Sequence, residues 1–498
     1  MCLRKVYDAI IIGGGVVGSS VARELARYHI KVCVLEKEAD VCCGNSSRNT
    51  GVLHAGFLYK TGSLQAKFAV EGNAAFEQIS KELDVPYKRT GKLTIGFTEG
   101  ERERLLKLKS QGDCNGVPNL SIIGRDEIKQ VDPNVEAEFA LYSPTSGIMC
   151  PYMYTIALAE NAKLNGVDYY FENEVCSVKK EKDGAFSVST AKGRLYSRWI
   201  INSAGLGAPT VAAMLGSAGY AYKPVKGEYI LLDKRAIEQI RVPVYPAPDE
   251  KGVTDLHATP TIDGNVLMGP TCNDVVQSCD LDTTADSLDY IVKKGASIFK
   301  GMKTEWIIRS FSGIMPRFVE RGTSGYLDFL IEHRPDNPNV VNLLGMDSPA
   351  LTGAYPIGKY VADIVAAQEK LAKNNSFDPC RKGIKKFSEQ DVETRCEMIE
   401  QNPDYGEIVC RCEYVTKAEI VEALNNPLGV TSVNGIKYRT RATMGRCQGG
   451  YCETRIASII QESKGLDRKD IRLDNSRSYM FTGEVRESCG CSTKTPSL

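Results

Sequence analysis

A chain of 498 residues has room for two or three domains at roughly 100–200 residues each. Its 62 Lys+Arg balance its 62 Asp+Glu, so no net field draws the whole molecule to nucleic acid or to an anionic membrane, although a local basic pocket for a small anion remains compatible. The opening MCLRKVYDAIIIGGG interrupts a short apolar run with glycines, unlike a secretory signal, and no stretch reaches the ~18 apolar residues of a spanning helix.

YDAIIIGGG reads as a buried strand ending in glycines, VVGSSVARELARY as a helix and IKVCVLEKE as a second strand. Within this unit Gly13, Gly15 and Gly18 form G-x-G-x-x-G. The first turns the chain tightly, the second admits a pyrophosphate close to the backbone, and the third lets helix and strand pack. Val16 then opens a helix whose free N–H groups face the phosphates. Glu36 ends the second strand, where a carboxylate takes the hydroxyls of an adenosine ribose. Lys37 follows, where an arginine would have suited a ribose 2′-phosphate. The loop alone fits NAD or FAD.

Strand and turn signals alternate through 87–97 and 167–202, and RWIINSAGLGAP ends one strand at Ser203-Ala204-Gly205. A region over 220–330 is rich in prolines and short strands, among them GEYILLD, NVLMGP and GYLDFLIEH. NVVNLLGM is a buried strand that leads through DSPALTGAYPIG into a long helix. Residues 373–405 are polar, broken by NNSFDP and QNPDYG, and read as a linker; 406–470 form a compact unit; 471–498 form a polar tail in which Cys489 and Cys491 are expected to be exposed thiols.

The 17 cysteines, an odd number without an export signal, are expected to be reduced in a cytoplasm. Four are grouped as Cys410-x-Cys412 and Cys447-x4-Cys452. Four thiolates hold zinc or a [2Fe–2S] cluster, and C-x-C is an unusual spacing for structural zinc.

Several stretches carry a resemblance. SAG at 203–205 resembles the second fingerprint of FAD-binding oxidoreductases, and SSRNTGVLHAGFLYKTGSLQAKFAVEGN resembles the segment that crosses the flavin in D-amino-acid-oxidase-like flavoproteins. Within that fold the chain is similar to the L-2-hydroxyglutarate oxidase group, through VLHAG, VKGEYILL and VYPAPDEKGVTDLHATPTIDGNVLMGP. It is also similar to the catalytic subunit of anaerobic glycerol-3-phosphate dehydrogenases. CRCEYVTKAEI and RTRATMGRCQGGYC resemble the bacterioferritin-associated-ferredoxin-like [2Fe–2S] domain.

The resemblance implies an α/β and α+β fold. A Rossmann-like FAD-binding domain (1–85, 145–218, 331–372) is interleaved with an antiparallel-sheet substrate domain (86–144, 219–330) and followed by a small iron–sulfur domain. It implies FAD contacts from Gly13, Gly15, Val16, Gly18, Glu36, Lys37, Ser46, Val175, Ala204 and Gly205. Gly345, Ser348, Ala350, Leu351 and Thr352 are expected at the flavin pyrimidine. His54 becomes the candidate base for an alcohol proton, since imidazole titrates near the working pH. His257 and Tyr245 are expected to face the substrate. Arg317 suits an anion through its planar fork, with Lys60 and Lys226 as further cations.

The expected reaction is oxidation of an anionic secondary alcohol, glycerol 3-phosphate first. L-2-hydroxyglutarate, an amine or amino acid, and a non-enzymatic electron-transfer role are the alternatives. Leu58 stands four residues after His54, where glycerol-3-phosphate dehydrogenases carry arginine, and so favours hydroxyglutarate; the cysteine unit favours glycerol 3-phosphate. A flavin collects two electrons and the cluster forwards one at a time. No second glycine loop is present for NAD, so a separate flavoprotein or iron–sulfur subunit is the expected acceptor. The chain is expected in the cytoplasm, with any membrane contact made through that partner.

Overall fold

The computed structural model describes residues 6–250, 254, 256–298, 302–320 and 327–483; Cys489 and Cys491 lie outside them. The chain divides into two compact units, one ending at Gly383 and the other beginning at Ile384.

The first unit is built on two sheets. One is eight-stranded, with Val6–Ile12 at its centre, parallel to both Val32–Leu35 and Gly193–Asn202. Asp168–Tyr170 extends it on one side. Phe186–Thr190, Val175–Lys180, Val340–Leu344 and Leu330–Glu332 extend it on the other. The central strand is apolar in nearly every position, as expected for a parallel strand covered on both faces. Helices Val16–Leu25, Leu64–Leu83, Pro151–Leu164 and Ala350–Glu369 share one apolar core with it, to which Ile11, Leu25, Phe76, Tyr154 and Val361 contribute.

The other sheet has nine strands and is largely antiparallel. Long strands Tyr220–Leu232 and Ile307–Glu320 pair along almost their whole length. Across the sheet, Tyr245 pairs with Thr94 and His257 with Gly269. Side chains alternate between faces with a period of two. Leu93, Ile95, Val244, Ala258 and Met268 enter an apolar core. Lys92, Thr94, Tyr245 and His257 are therefore on the opposite face. The loop 45–49 is tied to this sheet. Asn45 bonds Ile314 through both ends of its amide, and Arg48 donates to the Ser312 carbonyl at 3.2 Å.

The second unit buries Val409, Ile420, Ile436, Ile456 and Ile460. A short hairpin, Ile408–Cys410 with Val415–Thr416, is followed by helices Lys417–Leu424, Val433–Thr440 and Glu453–Lys464. The expectation of a plain linker over 373–405 is corrected. Arg381 donates to Glu160 at 2.7 Å within the first unit. Residues from Ile384 belong to the second unit, where Val392–Gln401 is a helix capped by Asp391. The tail expectation also changes, because Ile471 is buried in the second core and Met480 and Phe481 pack on it. Sparse apolar residues in a polar stretch are enough to dock it when their partners are already in place. No helix among the described residues is long and apolar enough to cross a membrane.

Candidate active site and cysteine centre

The glycine loop leaves no space for side chains where it meets its neighbours. Gly13 has φ +105, and a Cβ there would lie 2.5 Å from the Ser203 carbonyl oxygen. A Cβ on Gly18 would lie 2.1 Å from the Gly13 oxygen. Gly15 caps the helix without a side-chain bond, and the N–H of Val16 donates to Ser46 Oγ at 3.0 Å. Glu36 is buried and accepts from the N–H groups of Gly14 at 2.6 Å and Glu38 at 2.9 Å, one on each oxygen. Burial raises its pKa against those two bonds. Each carboxylate oxygen keeps a further lone pair for a ribose hydroxyl. Ala204 and Gly205 follow the neighbouring strand end, with Gly205 at φ +56, and Val175 begins its strand two sheet positions away. Lys37 is exposed beside Glu38 at 3.7 Å. A bare, close-packed turn at a helix N-terminus, with a buried carboxylate beside it, fits an adenine dinucleotide.

His54 follows the short strand Val52–Leu53. Its Nε2 lies 3.4 Å from Ser348 Oγ, and Ser348 in turn meets the Tyr59 hydroxyl at 2.9 Å. Asn73 donates to the His54 carbonyl at 3.1 Å. Burial, and then the charge of Lys92, lower the pKa of His54 to about 3, so the ring is neutral across the working range. Leu351 and buried Thr352 lie in the first turn of Ala350–Glu369, and Gly345, at φ +69, donates its N–H to the Tyr222 hydroxyl at 2.8 Å. The segment 345–352 thus meets the loop 52–59.

Tyr245 and His257 stack with ring centroids 3.8 Å apart. The cations are distributed differently from expectation. Arg317 Nε stands 3.3 Å from Asp347, whose carboxyl is pushed up to about 6 by burial and held down by Arg317. Lys226 is buried and donates to Asp280 at 2.9 Å and to the Asp282 carbonyl at 3.1 Å. Lys60 is exposed. Sequence reasoning missed Tyr59, Asp347 and above all Lys92, which is 1% exposed with its Nζ 3.4 Å from the Tyr245 ring centroid.

In the second unit Cys412 Sγ lies 3.6 Å from Cys447 Sγ, and Cys410 pairs with Cys452. Hydrogen bonding from Cys452 brings the Cys410 thiol down to about 6. The backbone N–H groups of Thr443 and Glu413 also point at Cys410, a setting that favours thiolate. Gly445 is required, since its Cβ would lie 2.1 Å from that of Cys412. Among the described residues no three His, Cys, Asp or Glu side chains converge as ligands of a single ion. The sulfurs stand as two pairs, and a two-iron cluster takes its four thiolates two to each iron. Cys410 and Cys452 are buried and Cys447 is exposed, so the cysteine centre opens to solvent on one edge.

The family described as FAD dependent oxidoreductase matches residues 8–364, and the BFD-like [2Fe-2S] binding domain matches 408–462. The chain belongs to the FAD-dependent oxidoreductases. This oxidoreductase is 37% identical to a glycerol 3-phosphate dehydrogenase of Caloramator mitchellensis, over 97% of its own length and 99% of the relative's. It is 33% identical to the mitochondrial L-2-hydroxyglutarate dehydrogenase of Nematostella vectensis, over 53% of its own length and 62% of the relative's. The FAD-bound L-alpha-glycerophosphate oxidase of Mycoplasma pneumoniae superposes with a TM-score of 0.71 at 27% identity, covering 76% of this chain and 98% of that one. The oxidoreductase thus joins a FAD-binding unit to a [2Fe–2S] unit in one chain.

Proposed function

We propose that this oxidoreductase converts glycerol 3-phosphate to dihydroxyacetone phosphate and delivers the electrons, one at a time, to a separate redox protein. One observation carries the reading: the likeness to a glycerol 3-phosphate dehydrogenase runs through both units, over 97% of the chain, whereas the likeness to the Nematostella hydroxyglutarate dehydrogenase covers 53%.

Bound FAD supplies the hydride acceptor and the [2Fe–2S] cluster a one-electron carrier. The chain's own residues do the rest. Gly13, Gly15 and Gly18 admit the pyrophosphate and Glu36 takes the ribose. The Ala350 N–H is taken by the Asp347 carbonyl at 2.6 Å, so in the first turn of that helix Leu351 and Thr352 would offer their backbone N–H groups to the flavin pyrimidine, where a helix N-terminus favours negative charge. His54 Nε2 accepts the alcohol proton as the hydride leaves carbon, which its neutral state permits. Tyr59 and Ser348 orient that nitrogen, and Arg317 holds Asp347 in place. Cys410, Cys412, Cys447 and Cys452 hold the cluster. The exposed edge at Cys447 gives a partner protein a short electron path.

A second reading, L-2-hydroxyglutarate, is favoured by Leu58, an apolar residue packed beside Phe57 where a cation would serve a phosphate. Anaerobic mixing decides between them. Glycerol 3-phosphate should bleach the flavin at least ~100-fold more efficiently than L-2-hydroxyglutarate; the reverse preference rejects the reading.

A further inference from the structure

The candidate cations of the first unit differ in one respect. Lys226 is neutralised by Asp280 and Arg317 faces Asp347. Lys92 is 1% exposed, and its Nζ has no hydrogen-bond partner. Around it are the rings of Tyr245, at 3.4 Å, and Phe57, at 5.1 Å. Burial brings its pKa down to about 7.

The strand register explains the placement. Leu93 and Ile95 point into the sheet's apolar core, so Lys92 and Thr94 share the other face. Thr94 pairs with Tyr245, which stacks on His257. The hydroxyls of Thr94 and Thr259, both fully buried, also lack hydrogen-bond partners. The charge of Lys92 is felt at His54. A face with an unpaired ammonium and two unpaired hydroxyls, beside the candidate base, is costly in a closed core, where lost hydration goes uncompensated. The cation–π contact with Tyr245 offsets only part of that. An oxyanion offers the missing acceptors to all three groups.

We propose that Lys92 receives the oxyanion head group of the substrate on the Tyr245–His257 face, with Thr94 and Thr259 beside it, while His54 addresses the hydroxyl at the other end of the molecule. This rests on the reading of the substrate as an anionic secondary alcohol. It assigns the head group to a residue on the substrate sheet and leaves Arg317 to position Asp347.

The test uses the holoenzyme carrying Lys92→Met or Lys92→Arg. Methionine conserves length and apolar character, and FAD content reports folding. Anaerobic flavin bleaching is followed with glycerol 3-phosphate, L-2-hydroxyglutarate and glycerol, which lacks the head group. Inorganic phosphate is added as a competitor and also titrated alone, through its perturbation of the flavin absorbance. In Lys92→Met the Kd of the bleaching anion should rise ~30-fold or more, the scale for removing one partner of a buried charge pair. Phosphate should stop competing, and glycerol should be affected much less. Lys92→Arg should recover part of the affinity. Equal losses with the anion and with glycerol at unchanged Kd, or undiminished phosphate binding by Lys92→Met, would overturn the proposal. The substrate reading is judged on the wild type alone: if neither anion bleaches its flavin, that reading falls, and the phosphate titration still decides Lys92.

Discussion

The main-chain N–H of His54 donates to Thr352 Oγ1 across 3.0 Å. Some three hundred residues of chain separate the two, and this bond sets the candidate base against the helix that begins at Ala350. Thr352→Val keeps the shape and removes the acceptor. Flavin reduction should slow ~2–10-fold, the worth of one hydrogen bond, with FAD content unchanged and Thr352→Ser restoring the rate. Full activity in the valine variant would show that the bond does not position His54.

His54→Ala should slow flavin reduction by ~10²–10⁴-fold. The pH dependence is a sharper check. A base with its pKa lowered to about 3 is deprotonated, and so competent, at every pH above that value. The wild-type reduction rate should therefore show no acid limb from His54 between pH 8 and 5. The charged or titratable groups around the ring are Lys92 and Tyr59. A limb near 6.5 that vanishes in His54→Ala would mean the imidazole titrates as it does in water.

Gly18→Ala places a methyl 2.1 Å from the Gly13 carbonyl oxygen and 2.5 Å from Ser203 Oγ. One neighbour is the loop's own backbone and the other the Ser203 hydroxyl at the end of the adjacent strand, so relief requires moving the loop off that strand. The cost of such overpacking is about 1–3 kcal/mol. Purified Gly18→Ala should retain less than about a tenth of the wild-type flavin absorbance per chain; full retention would place the dinucleotide elsewhere.

The cysteine centre separates from the flavin chemistry by substitution. Cys412→Ser should abolish the rhombic paramagnetic signal of the reduced protein and leave anaerobic flavin bleaching intact. Metal analysis of wild type should give two irons per chain. Stoichiometric zinc without iron would reject the cluster.

Arg317→Ala should raise the pH at which Asp347 deprotonates, because burial already pushes that carboxyl up to about 6 and Arg317 opposes it. Catalysis that depends on an ionised Asp347 should then acquire a limb at higher pH, which Arg317→Lys moves back toward the wild-type position. An unchanged profile would remove Asp347 from the active arrangement.

The dinucleotide loop was legible because its logic is local. Three glycines, a helix start and Glu36 lie within one strand–helix–strand unit, and the structure adds only the contacts that enforce them. The four cysteines were legible for the same reason. Lys92 was not. In TGKLTIG it reads as a solvated residue at a strand start, since Leu93 and Ile95 supply the buried face. What covers the opposite face, Phe57 and Tyr245, comes from segments far away in sequence. The cations that were named suffered the same blindness in reverse: nothing around Lys226 announces Asp280, whose side chain arrives from another part of the chain. Helix Val392–Gln401 was missed because polarity alone suggested a linker, although Asp391 supplies an N-cap.

The central strand Val6–Ile12 finds one of its two sheet neighbours at Gly193–Asn202, and that neighbour in turn pairs with Val340–Leu344. Such distant closures are slow, since chain entropy is spent before the contacts form. On a ribosome adding about 5–20 residues each second, the first strand waits roughly 10–40 s for its partner. Its apolar edge is exposed throughout that interval. Yield of the flavin unit should accordingly respond to chaperone supply and to growth temperature. The second unit is one continuous stretch beginning at Ile384, and it has no such delay.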